Sequence, residues 1–223
     1  MNPLNIQRND YRKNKKNSTI YTPAPVARFL FDVLHESVWN ITASKVPVVL
    51  DKGRGVLDHS PEITVFDPAI GSGRLTDPWI KAGYRIIGCD IAIDPILVAD
   101  ETIKGRFEDC TWYDDWPTPD LVLCNPPFNG ATGKRLYPEV FLEHIFELFG
   151  PKQPVVLFAP MGLRLNQRRK SKRFRWLRDC GAELTSIISL PLDTFDGVEF
   201  HVEVLIWNVK GIKPHYYLTE EAL

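Results

Sequence analysis

The chain has 223 residues, 44% of them apolar and 25% charged, which supplies one α/β core but no run near the roughly 18 consecutive apolar residues of a membrane-spanning helix. Its four cysteines, Cys89, Cys110, Cys124 and Cys180, include no C-x-x-C pair, which argues against a zinc knuckle or disulfide framework and for reduced, mostly buried thiols. A formal net charge of -1 hides segregation: cations crowd Arg8 to Lys16 and Arg164 to Arg178, carboxylates crowd Asp94 to Asp120 and the C-terminus, and local patches rather than totals set the field a polyanion meets.

In chain order, residues 1–20 read as a polar, basic arm without the apolar stretch of a signal peptide, and a cytoplasmic, soluble protein is expected. Residues 21–223 are expected to form one domain. A helical pattern covers Pro23–Trp39, after which Ile41 to Glu62, with Pro47, Gly53, Gly55 and Pro61, has no clear period and reads as a loop or small hairpin. Apolar runs predict strands near Ile63–Asp67, Arg85–Cys89, Leu121–Cys124, Val155–Ala159, Leu184–Leu190 and Val202–Trp207. Helices are predicted over Leu75–Ala82, Pro138–Phe149 and Arg168–Cys180. Such alternation predicts a mostly parallel, doubly wound sheet with helices on both faces, and ligands of such sheets bind beyond the strand carboxyl ends.

The first strand runs into Asp67-Pro68-Ala69-Ile70-Gly71-Ser72-Gly73-Arg74, a glycine-bearing turn that leads into a helix and lets backbone approach a ligand closely. The second strand ends in Asp90, about 20 residues on, where a carboxylate can hold the hydroxyls of a ribose; capping a helix is its structural alternative. The third glycine of a pyrophosphate loop is replaced by Thr76. A nucleoside without pyrophosphate therefore fits better than a dinucleotide.

The segment Asp120-Leu121-Val122-Leu123-Cys124-Asn125-Pro126-Pro127-Phe128 carries the most chemical information. Its prolines fix the turn and remove two N–H donors, which leaves acceptors at the strand tip: the Asn125 side-chain oxygen and the Pro126 carbonyl. Both can bind an –NH2 group and hold its nitrogen toward a methyl donor, while Phe128 offers a ring face to a planar base.

Asn125-Pro126-Pro127-Phe128, Asp67-Pro68-Ala69-Ile70-Gly71-Ser72-Gly73 and Tyr21-Thr22-Pro23 together resemble motifs of the N6-adenine DNA methyltransferases, in the gamma order of that family. The similarity spans roughly Tyr21 to Val209. It implies the class I methyltransferase fold, a Rossmann-like, mostly parallel sheet of seven strands, with S-adenosylmethionine as cofactor and DNA as partner. It also implies cofactor contacts from Tyr21, Thr22, Pro23, Asp67, Pro68, Ala69, Gly71, Gly73 and Asp90. Asp109 matches the position that meets the cofactor adenine, with Glu108 the close alternative. Catalysis is implied for Asn125, Pro126, Pro127 and Phe128. Leu190-Pro191-Leu192-Asp193-Thr194-Phe195 looks like the late motif whose Phe faces the flipped base opposite Phe128; Phe195 is equally readable as core.

The basic run of Arg164, Arg168, Arg169, Lys170, Lys172, Arg173, Arg175 and Arg178 holds no acidic residue before Asp179, so its self-repulsion suits a phosphate backbone, or else a solvated helix face. Phe174 and Trp176 read as core anchors of that helix. The loop through Lys134 and Arg135 is a candidate lid over the flipped strand, or a plain surface loop. Typical family members carry a separate target-recognition domain, and this sequence is expected to be without one. Site choice is therefore expected to come from short loops, from a specificity subunit, or to be weak.

Overall fold

The computed structural model describes residues 21–43, 62–94, 97–128, 135–195, 198 and 200–218. The expected basic arm, most of the Ile41 to Glu62 stretch and Lys134 lie outside the described residues.

Strands β1 (Thr64–Asp67), β2 (Arg85–Asp90), β3 (Glu101–Lys104), β4 (Leu121–Cys124), β5 (Val155–Pro160), β6 (Leu184–Ser189), β7 (Val202–Trp207) and β8 (His215–Tyr217) form one sheet in the order β3-β2-β1-β4-β5-β7-β6-β8. Every neighbouring pair is parallel except those involving β7, which runs against both β5 and β6. The expected mostly parallel sheet is present with one strand more than the expected seven, the short edge strand β8. Six of these strands follow apolar runs. The other two, β3 and β8, are short edge strands with alternating exposure, so neither carries the apolar run that announces a central parallel strand.

Successive residues of the central strands enter opposite cores. Val65, Ile86, Leu121, Leu123, Val156 and Phe158 join the core under α1 (Ala24–Ala43) and α2 (Asp77–Lys81). Phe66, Ile87, Val122, Cys124, Val155 and Leu157 join the core under α3 (Tyr137–Phe149). This period of two across a two-sided sheet is why the strands read as unbroken apolar runs. Trp79 of α2 is fully buried, with Phe31 of α1 at 5.0 Å and Tyr84 at 5.1 Å, edge to face. Helix α1 continues to Ala43, past the predicted end at Trp39.

The predicted helix over Arg168–Cys180 is shorter in the structure and starts four residues later. A turn α4 (Gly162–Leu165) is followed by irregular backbone, and α5 spans only Lys172–Asp179, capped by the Ser171 side chain accepting from the Phe174 N–H at 3.2 Å. No residue of α5 is fully buried; Trp176 leans on Phe146 at 6.2 Å and Leu177 packs against the same core, while Phe174 is exposed, so of the two expected anchors only Trp176 serves. The cysteines are free as expected. The fold nevertheless brings Cys89 at the end of β2 within 3.2 Å of Cys110, sulfur to sulfur, and burial pushes both Cys89 and Cys124 well above the ordinary thiol range.

Candidate active site

The parallel strands change direction of succession between β1 and β4, and a cavity of about 680 Å³ opens there, beyond their carboxyl ends. Three sequence motifs separated along the chain meet on its wall: Tyr21 and Thr22, the loop Asp67–Gly71, and Asn125-Pro126-Pro127.

The glycine loop is held by the strands on either side. The Ile70 N–H donates to the Cys89 carbonyl at 3.0 Å, and the Gly71 N–H donates to the Asp90 carboxylate at 2.9 Å. Gly71 has φ +51°, which an L side chain rarely adopts, and a Cβ there would stand 3.7 Å from the Tyr21 ring. A Cβ on Gly88 of β2 would lie 2.5 Å from Ile70, so the missing side chain is what seats the loop on the sheet. Asp90 caps no helix: its second oxygen accepts from the Ala92 N–H at 3.0 Å, bracing two loops at the cavity wall. Asp67 is 1% exposed and accepts from the Ala69 N–H at 2.9 Å. Burial, only partly offset by that bond and reinforced by the charge of Asp90, pushes its carboxyl up to about 8.

At the other end, the Asn125 amide donates to the buried Thr22 hydroxyl at 2.9 Å. With the amide nitrogen on Thr22, the Asn125 side-chain oxygen lies at the other end of the amide. The bond also joins the chain's N-terminal motif to the strand tip. Pro23 directly precedes α1, its carbonyl accepting from the Ala27 N–H, and neither it nor Gly73 lines the cavity.

Two expectations about this site are corrected. Asp109 faces solvent, with 76% of its side chain exposed, while Glu108, 20% exposed, lines the cavity. A short 3₁₀ turn over Phe107–Asp109 accompanies this, burying Phe107 and placing the two consecutive carboxylates on different sides. The Phe128 ring offers no open face: it is 3% exposed, and Phe195 and Phe200 meet it edge to face, each with a centroid distance of 5.8 Å. Phe195 belongs to the core, also contacting Phe158 at 5.9 Å. No planar base fits between Phe128 and Phe195 in this arrangement. Phe128→Ala is accordingly expected to cost about 3–5 kcal/mol of folding stability through cavity formation, measured by urea unfolding. A loss within about 0.5 kcal/mol, the range of surface changes, would show that the ring is not part of the core.

The basic residues divide into two groups. Arg164 makes a two-pronged pair with the buried Glu203 at 2.9 and 3.1 Å, Arg173 pairs with the buried Glu139 at 2.6 Å, and Arg135 pairs with Glu143. These three are thus engaged by carboxylates of the fold. Their carboxylates arrive from β7 and α3, which the local charge run could not reveal. Arg168, Arg169, Lys170, Lys172 and Arg175 remain exposed. Sequence reasoning missed Arg74, Ile91 to Asp94, Gly105, Arg106 and Tyr137 on the cavity wall. Ile91 to Asp94 follow the end of β2, Gly105 and Arg106 follow the end of β3, and Tyr137 begins α3; no motif marked them.

No protein-family model matches the sequence, and no curated protein is similar to it in sequence. Solved structures do match. A Listeria monocytogenes protein described as a class I S-adenosylmethionine-dependent methyltransferase superposes with a TM-score of 0.57 at 14% identity, over 88% of this chain and 65% of that one. The methyltransferase subunit of a type I restriction-modification system from Streptococcus thermophilus gives 0.58 at 18%, over 89% and 47%. A modification subunit attributed to a type I restriction enzyme of Vibrio vulnificus gives 0.57 at 16%, over 90% and 47%. The chain thus spans about half to two-thirds of the length of these structures. Among the described residues no helix is long and apolar enough to cross a membrane. The chain has the fold of the class I S-adenosylmethionine-dependent methyltransferases.

Proposed function

We propose that the chain binds S-adenosylmethionine in this cavity and transfers its methyl group to the N6 amine of an adenine in DNA. One observation carries the proposal: a single cavity joins a wall suited to a nucleoside, formed by Asp90, Gly71 and Glu108, to the acceptor tip Asn125-Pro126. The cavity's volume falls within the usual range for small-ligand sites, about 300–1,000 Å³. Its carboxylates suit ribose hydroxyls and a cationic ligand, and its loop does not cradle a pyrophosphate. The fold shared with modification subunits supports the same reading.

S-adenosylmethionine would supply a methyl group on a positive sulfur, so a neutral amine suffices as nucleophile: the carbon–sulfur bond breaks as the carbon–nitrogen bond forms, and the methylated nitrogen loses one N–H proton to solvent. The Asn125 Oδ1 and the Pro126 carbonyl accept the two N–H bonds of that amine, orienting its lone pair along the axis of transfer. Thr22 keeps the Asn125 amide from rotating. An adenine reaches this depth only when extruded from its stack. Arg168, Arg169, Lys170, Lys172 and Arg175 are the exposed cations of the run left to meet phosphates, while site choice falls to short loops or a specificity subunit. Asp90→Ala should weaken S-adenosylhomocysteine binding by roughly 1.5–3 kcal/mol for each charge-assisted hydrogen bond lost, read by calorimetry. An unchanged dissociation constant would leave Asp90 only its bracing of Gly71 and Ala92.

The packed state of Phe128 favours a second reading, in which the amine belongs to a protein glutamine, whose small amide needs no stacking ring. Tritiated methyl transfer to DNA, RNA and protein side by side, followed by nucleoside analysis, separates the two. N6-methyladenine from DNA is the expected product. Label in RNA alone or protein alone reassigns the substrate, and a chain that binds cofactor without transferring it to any of the three is an idle subunit of a larger complex.

A further inference from the structure

We infer that Arg74 grips the carboxylate of the cofactor's amino-acid tail, with Tyr21 as the platform that holds its guanidinium at the cavity wall. This rests on the proposal that S-adenosylmethionine is the ligand. Charge on the wall is mostly negative: Asp90, Asp94 and Glu108 line it, beside Asp67, which burial keeps protonated near neutral pH. A ligand that brings its own carboxylate needs a cation there. Arg106 is committed, at 2.9 Å from Glu108 and 3.7 Å from Asp109. Arg74 also lines the cavity, and no carboxylate of the described residues lies within ion-pairing reach of it.

The guanidinium of Arg74 instead lies over the Tyr21 ring, 5.0 Å from its centroid, an arrangement that fixes the fork's direction without neutralising it. The planar fork can then meet a carboxylate with two parallel N–H bonds. Its place in the site agrees. The amino-acid tail and the transferred methyl group leave the same sulfur atom, so the tail's anchor belongs beside the acceptor tip. Tyr21 precedes Thr22, which bonds Asn125, and its ring lies against the Gly71 turn. Arg74 is therefore on the flank where the tail must run, and it selects a ligand with an intact α-carboxylate.

The test is calorimetric titration of S-adenosylmethionine and its decarboxylated analogue, which lacks only that group, into wild type, Arg74→Met, Arg74→Lys and Tyr21→Leu. Wild type should prefer the intact cofactor by about ten- to a hundredfold. Arg74→Met should bind both ligands alike, at the strength wild type shows for the analogue. Arg74→Lys should recover part of the preference, keeping the charge without the fork, and Tyr21→Leu should lose part of it. Because the readout is a ratio between two ligands on one protein, a general loss of folding cannot imitate the result. Wild type and Arg74→Met showing the same preference would overturn the assignment of Arg74 alone. Wild type binding neither ligand would overturn the cofactor reading, and this inference with it.

Discussion

Asn125→Ala is expected to lower methyl transfer by a factor on the order of 10²–10³, the cost of losing one pre-oriented polar contact at a reacting group, with S-adenosylhomocysteine affinity almost unchanged. The side chain spans two elements, its amide N–H bonded to Thr22 at 2.9 Å and its backbone at the end of β4. Deleting it removes an acceptor for the substrate amine and leaves Thr22 without that donor, but touches neither Asp90 nor the Gly71 turn. Thr22→Val tests the positioning role separately. It removes the acceptor that fixes the amide while keeping the buried volume, so kcat should fall with little change in KM for the cofactor. Single-turnover transfer across a cofactor titration reads rate and KM, and calorimetry reads the S-adenosylhomocysteine affinity. Turnover of Asn125→Ala close to wild type would sink the proposed chemistry. Equal losses of turnover and cofactor affinity would instead mean that the Thr22–Asn125 bond holds the cavity's shape.

Different physical scales explain what the sequence revealed and what it hid. The strands β1, β2, β4, β5 and β7 were legible because each is buried on both faces, so composition alone marks them. The site loops were legible because glycine and proline constrain backbone locally. Asp109 and Glu108 could not be told apart, because one residue of rotation in a short 3₁₀ turn decides which carboxylate faces the cavity. The charge run misled for a related reason. Nothing within Arg164 to Arg178 announces that Glu203 of an adjacent strand, or Glu139 of a distant helix, neutralises two of its members. Breaking such a buried pair by removing one partner typically costs about 3–5 kcal/mol, so Arg164 and Arg173 are poor sites for probing nucleic-acid contact, whereas the exposed Arg168, Arg169 and Lys170 are suitable ones. Phe128 was a ring next to an acceptor tip in the sequence, and only packing shows that its faces are taken.

Asp67 gives the chain a stability that falls as pH rises. Its carboxyl is pushed from the ordinary 3.8 up to about 8, chiefly by burial. Between those values the folded protein holds a proton that the unfolded chain has released, so unfolding releases protons and each added pH unit lowers stability by up to about 1.4 kcal/mol. The loss accumulates to several kcal/mol and levels off above about pH 8, where both states are ionised. Asp67→Asn keeps an oxygen for the Ala69 N–H and has nothing to ionise. It should therefore flatten this part of the stability profile and exceed wild type near pH 8, as urea unfolding at several values between pH 5 and 8.5 would show. Parallel profiles for the two proteins would mean that Asp67 ionises in the folded state as an ordinary carboxylate does. The same group links the fold to binding. A cationic ligand in the cavity favours the charged form of Asp67, so association near pH 7 should release part of a proton, and the heat of binding should change with the ionisation enthalpy of the buffer. In Asp67→Asn that dependence should vanish. If it persists there undiminished, the proton comes from another group.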